Sequence, residues 1–170
     1  MWQVLPGTDR EAVERADAVL RSFQGGEITD PTVFVKSAAL GAIAAMELAK
    51  LAQSKAQSAN VKSFAARILK EQQAMQAELA AVAKREKLDV PTSLVYEDEQ
   101  MVNGVGEKSG AQFDSAYAQQ MIAESQKAIG LFESASKMQD ARLAAFAKKS
   151  LPLFQEQQRL ALELGQSTAP

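Results

Sequence analysis

Apolar residues recur every three to four positions through most of this chain, and the rows they form predict helices throughout. Val13, Ala16, Leu20 and Phe23 make the first row, on a helix from about Asp9 to Phe23. Thr8 and Glu11 have capping-box spacing at its start, and Gly25-Gly26 ends it. It reads as a helix laid against a bundle, or as a swapped or partner-binding arm. A second helix opens at Asp30-Pro31, a cap residue followed by proline, and continues to about Ser58. Its row, Phe34, Ala38, Gly41, Ala45, Leu48 and Ala52, is mostly small and suits close approach of a neighbour.

The third row is Val61, Phe64, Ile68, Gln72, Met75, Leu79 and Val82, on a helix from about Ala59 to Lys87. Another helix opens at Ser109 and ends near Ala135, with Phe113, Tyr117, Met121, Glu124, Ala128, Leu131 and Ala135 in its row. The last runs from about Asp140 to Leu164 and turns Leu143, Phe146, Leu153, Phe154, Gln157, Leu160 and Leu164 inward. Pro152 removes one backbone donor there, so a kink is expected between Lys148 and Pro152.

The segment from Leu88 to Ser109 breaks the pattern. It holds Pro91, Gly104, Gly106 and the acidic run Glu97-Asp98-Glu99, with a short helix expected around Glu97 to Val102. Its length carries the topology. A helix of about 28 residues is roughly 42 Å long, and a connection of about 22 residues reaches about 70 Å when extended. The other connections are short and join antiparallel neighbours. The expected fold is therefore all-α: a ferritin-like four-helix bundle over residues 30–165, made of two hairpins with a long crossover between them. Residues 1–29 supply an N-terminal helix and linker, and 166–170 are expected as a disordered tail.

Composition narrows the chemistry. With 170 residues, 46% hydrophobic and 24% charged, the chain can fold around one real core. Nineteen basic against 21 acidic residues leave a net charge of -2, and no basic strip marks a nucleic-acid partner. There is no Cys and no His, which removes thiolate chemistry, the commonest general base and the commonest transition-metal ligand. No run of about 18 apolar residues predicts an integral membrane segment. Met1 to Pro6 have neither the basic start nor the apolar stretch of a signal peptide.

What remains is a set of polar residues on or beside inward rows: Gln72, Tyr117, Glu124, Ser125 and Gln157. At 100° per residue Gln72, Glu124 and Gln157 face inward and Ser125 sits toward the edge, while Glu47, Glu71 and Glu156 fall away. One inward carboxylate without imidazole is a poor transition-metal site. Three readings stand: a buried polar network whose members hydrogen-bond across the core, a small polar cavity for a ligand or waters, and a hard-cation site built by Glu124 with amide oxygens. In the first, desolvation raises the pKa of Glu124.

From Asp30 to Leu164 the chain resembles a bacterial family known as domain of unknown function 4142. The resemblance rests on the order and spacing of Phe34-Val35-Lys36 with Ala38-Ala39, Glu47-Leu48 with Lys50-Leu51-Ala52, Val61-Lys62 with Phe64-Ala65, Phe113-Asp114 with Ala116-Tyr117, Lys127-Ala128 with Leu131-Phe132-Glu133, and Phe146-Ala147 with Leu151-Pro152. It implies a ferritin-like fold and export to the periplasm or cell envelope, with the signal peptide removed from the chain read here. It also implies a Glu on the 30–58 helix, an Asp-His pair on each of the next two long helices and a His on the last. The matching places hold Ala45, Glu71-Gln72, Glu124-Ser125 and Gln157. The expectation is a non-enzymatic envelope protein, a scaffold or interaction module with a degenerate metal site and no catalytic, cofactor or metal residues. Its partner would be an unidentified protein or a second copy. The alternatives are a ferritin-like metal-binding protein and a small-ligand carrier.

Overall fold

The computed structural model describes residues 30–169, so the helix expected between Asp9 and Phe23 lies outside the described residues. Five helices follow: α1 (Pro31–Lys55), α2 (Ala59–Arg85), α3 (Tyr96–Gly106), α4 (Gly110–Ala135) and α5 (Ala141–Ser167), with no strand among the described residues. Local chemistry sets most of their ends. The Asp30 carboxylate accepts from the Thr32 N–H at 2.9 Å, with Pro31 in the first turn. Ser58 accepts from the Asn60 N–H at 3.2 Å. Asp140 accepts from the N–H groups of Arg142 and Leu143, both at 3.1 Å.

Several boundaries differ from the sequence-based expectation, and α3 runs on to Gly106 rather than ending at Val102. α1 stops at Lys55 because Ala56 turns extended, which frees Ser58 to cap the next helix. α2 stops at Arg85: Lys87 adopts a left-handed φ of 56°, and the Leu88 N–H reaches back to the Ala83 carbonyl at 2.8 Å. Gln166 and Ser167, expected in a disordered tail, belong to α5, which continues to Ser167, and both the N–H and the hydroxyl of Thr168 donate to the Leu164 carbonyl. α5 also stays helical through Pro152. Lys148 and Pro152 are both exposed, so the carbonyl deprived of its donor lies on the solvent side.

α1 packs against α2 and α4, and α5 packs against α2 and α4, which closes a four-helix ring. α1–α2 and α4–α5 are hairpins. The segment between α2 and α4 runs the length of the bundle, so α4 begins beside the α1–α2 turn, and every neighbouring pair in the ring is antiparallel. The short helix α3 lies on the crossover and covers α1 and α4, burying Val102 and Val105. α1 is apolar almost all round: twelve of its residues are buried. By length and composition it would cross a membrane, but most of that stretch is buried inside the bundle.

The core divides in two along the bundle axis. Toward the α1–α2 turn, Leu48, Val61, Ile68, Phe113, Tyr117 and Leu164 form one apolar cluster. Toward the other end, Phe34, Met75, Leu79, Phe132, Phe146 and Phe154 form the second. In the second, Phe132 lies edge-on to Phe34 at 5.1 Å and tilted against Phe154 at 4.6 Å.

Candidate functional site

Between the two clusters lies a polar layer at mid-height. It follows directly from the helical rows. α2 places Gln72 between Ile68 and Met75, and α5 places Gln157 between Phe154 and Ala161. α4 places Glu124 and Ser125 after Met121. α1 contributes no polar group at this level: Ala42, Ile43, Ala44, Ala45 and Met46 are all buried.

The two amides meet. Gln72 Nε2 donates to Gln157 Oε1 at 3.2 Å, with the side chains 4% and 2% exposed. Gln72 Oε1 and Gln157 Nε2 have no side-chain or backbone partner. The other members of the predicted cluster do not join this pair. Ser125 is buried, but its hydroxyl donates to the Ile122 carbonyl of its own helix at 2.9 Å. Glu124 accepts from Gln120 Nε2 at 3.0 Å and lies 3.8 Å from Lys127 Nζ. Tyr117 is wholly buried between Phe64 and Phe113, and its hydroxyl has no partner. The cross-core network expected for five residues is thus a single bond between two. Ser125 and Glu124 are served by neighbours one turn away on α4, because helical i, i+3 and i, i+4 partners are closer than residues across the core.

Electrostatics follow burial. Desolvation raises the Glu124 pKa; Lys127 and Gln120 oppose the rise, and Asp98 on α3 adds to it. Burial also pushes the Tyr117 hydroxyl well above its usual range. Among the described residues no three of His, Cys, Asp or Glu gather where a metal ion could sit.

One polar contact escapes a reading of the rows. Asp114, 4% exposed and one turn into α4, accepts from the backbone N–H groups of Gln57 and Ser58 at 3.0 and 2.8 Å. It ties α4 to the turn between α1 and α2. It lies past the first turn, which holds no acidic residue, so it does not serve its own helix end, and nothing local reveals a partner on another hairpin. Beside it Gly110 has a φ of +57°, and a Cβ there would stand 3.2 Å from Gln57 Oε1. An open cleft of about 860 Å³ adjoins this end, lined by Lys108, Gln112, Ser115 and Thr168 among others; its lining does not include the mid-height amides.

A bundle of two crossover-linked hairpins with an alanine-rich core helix and a polar mid-height layer is the class of protein that these features define. The chain belongs to the family described as Domain of unknown function (DUF4142), whose model matches residues 22–164. Among solved structures it is similar to a crystal structure of a DUF305 fragment from Deinococcus radiodurans, with a TM-score of 0.70 and 18% identity over 81% of this chain and 98% of that one. That likeness concerns the fold. No curated protein matches the chain.

Proposed function

We propose that this protein is a non-enzymatic helical-bundle module of the bacterial cell envelope, acting as a scaffold or interaction partner for another protein or for a second copy. The observation that supports this most is how the mid-height layer closes. Where a bundle of this kind could present a reactive group, the two amides bond to each other, and Glu124 and Ser125 are occupied by their own helix. Among the described residues of this layer no acid–base pair faces a common point, and the nucleophile-plus-base arrangement of covalent catalysis has no His or Cys to use. Placement in the periplasm or envelope rests on the resemblance of the 30–164 segment. Elemental analysis of protein purified without a His tag should give no stoichiometric transition metal, and oxidase assays should be silent. One bound iron, manganese or zinc per chain would overturn the proposal.

A second reading, a small-ligand carrier, draws on the unpartnered Gln72 Oε1, Gln157 Nε2 and Tyr117 hydroxyl. A panel of small polar molecules should then raise the melting temperature, and the rise should vanish in Gln72→Leu. A metal-binding version centred on Glu124, Gln72 and Gln157 requires iron, manganese or zinc to raise the melting temperature in the parent chain but not in Glu124→Ala. An unchanged melting temperature with all three ions ends that version.

A further inference from the structure

The two hairpins meet along two seams, α1 against α4 and α2 against α5. Beyond Phe34, which meets Phe132 of α4, α1 carries a row of near-identical residues on one face: Ala38, Ala42, Ala45, Ala49 and Ala52, all buried. Sliding α4 along that row by one turn replaces alanine by alanine, so the alanines say little about alignment, which at the far end rests on the packing of Phe34 against Phe132. The second seam is different. Gln72 opposite Gln157 sets an antiparallel alignment in which Ile68 falls near Ala161, and Met75 near Phe154. The same alignment brings Lys149 within 3.3 Å of Glu78 and Arg142 within 3.8 Å of Glu86 on the surface. Slide α2 by one turn, and apolar residues still meet apolar residues almost everywhere. The exceptions are the amides: Gln72 would face Phe154 or Ala161, and Gln157 would face Ile68 or Met75. Each would lose its only side-chain partner in a buried setting.

We propose that the Gln72–Gln157 pair fixes the register in which the two hairpins dock, with the Asp114 clasp as the second fixed point at the end of the bundle. A buried polar pair of this kind selects one alignment among several that hydrophobic packing tolerates, and it does so at some expense of stability. The surface ion pairs are too exposed to hold a register alone, since Lys149 and Arg142 are 72% and 63% exposed.

The chain has no Cys, so spin labels can be placed at will. One label pair spans the hairpins, at the exposed Ser63 on α2 and Lys148 on α5. A control pair lies within one hairpin, at the exposed Gln119 and Lys148. Distances are measured by pulsed electron spin resonance in Asp114→Ala and in the triple variant Asp114→Ala, Gln72→Met, Gln157→Met. The single variant should keep one narrow spanning distance, because the amides remain. The triple variant should stay helical but show a second spanning distance, displaced by about 5 Å, one helical turn, while its control distance stays single. One narrow spanning distance at the parent value in the triple variant overturns the proposal. Loss of helicity in the triple variant overturns it too, because the amides would then carry stability rather than alignment.

Discussion

The aromatic end of the core and the polar layer at mid-height are built from the same helices, yet they hold together differently. At the aromatic end Phe132 and three further phenylalanines, from α1 and α5, fill space with one another, and the contacts need no particular pairing of atoms. At mid-height a single hydrogen bond joins α2 to α5, and α1 offers only apolar side chains. The comparison teaches that affinity and alignment are divided between regions. Burial at the aromatic end drives the helices together, at about 25 cal/mol per Å² of apolar surface. The amides contribute little net energy but penalise any arrangement that separates them.

The hardest blow to this comparison is Phe132→Ala. The ring is 1% exposed and touches three others, so its removal should cost about 3–5 kcal/mol of unfolding free energy, read from urea denaturation. A loss under about 1 kcal/mol would show that the aromatic end collapses freely and does not dominate stability. Asp114→Ala should come next. It strands two backbone donors of the α1–α2 turn and removes a charge-assisted contact, for a loss of about 2–3 kcal/mol. Because Asp114 accepts from N–H groups only, Asp114→Asn should recover part of that loss through its remaining carbonyl oxygen.

Gln72→Met tests the polar layer itself. It leaves Gln157 buried without a partner, so it should lower stability by about 1–2 kcal/mol. Adding Gln157→Met should restore most of the loss, giving a coupling of about 1 kcal/mol in a double-mutant cycle. Additive losses would mean that the two amides act independently and that the layer is not a unit.

Much of this fold was legible in the chain. The apolar rows gave the four long helices, and the 22-odd residues between the two hairpins required a crossover. Gln72 and Gln157 were legible as inward residues because each interrupts an otherwise apolar row. What the rows could not convey was pairing. A row tells which way a residue faces, not which neighbour lies at the same height on another helix. Hence the rows alone group Glu124, Ser125 and Tyr117 with the amides, although Glu124 turns to Gln120 and Lys127, and Ser125 to its own backbone. Asp114 was missed for the same reason, as its partners are main-chain groups 56 and 57 positions away. Lys87 shows a further limit: a non-glycine residue in the left-handed region gives no sign of the helix end it makes.

The smallest expected effect separates Glu124 from the amides most cleanly. Its carboxylate is buried and its pKa is raised, chiefly by desolvation, above the ordinary value of 4.5. A raised folded-state pKa means that the folded chain holds its proton more tightly than the unfolded chain. Glu124 therefore favours folding in full below about pH 4.5, and that contribution is lost as pH rises through the folded value. Glu124→Gln removes the ionisation while keeping an oxygen for Gln120. At pH 7 it should match or exceed the parent in stability, by up to about 1 kcal/mol, since the charge it removes is only partly offset by Lys127. The advantage should shrink as pH falls and vanish near pH 4. The low pKa values of Asp140 and Glu156 impose an opposite slope, but they are shared by both proteins and cancel in the difference. If the difference between variant and parent does not change with pH, Glu124 is not the titrating group, and the polar layer has no proton-linked member.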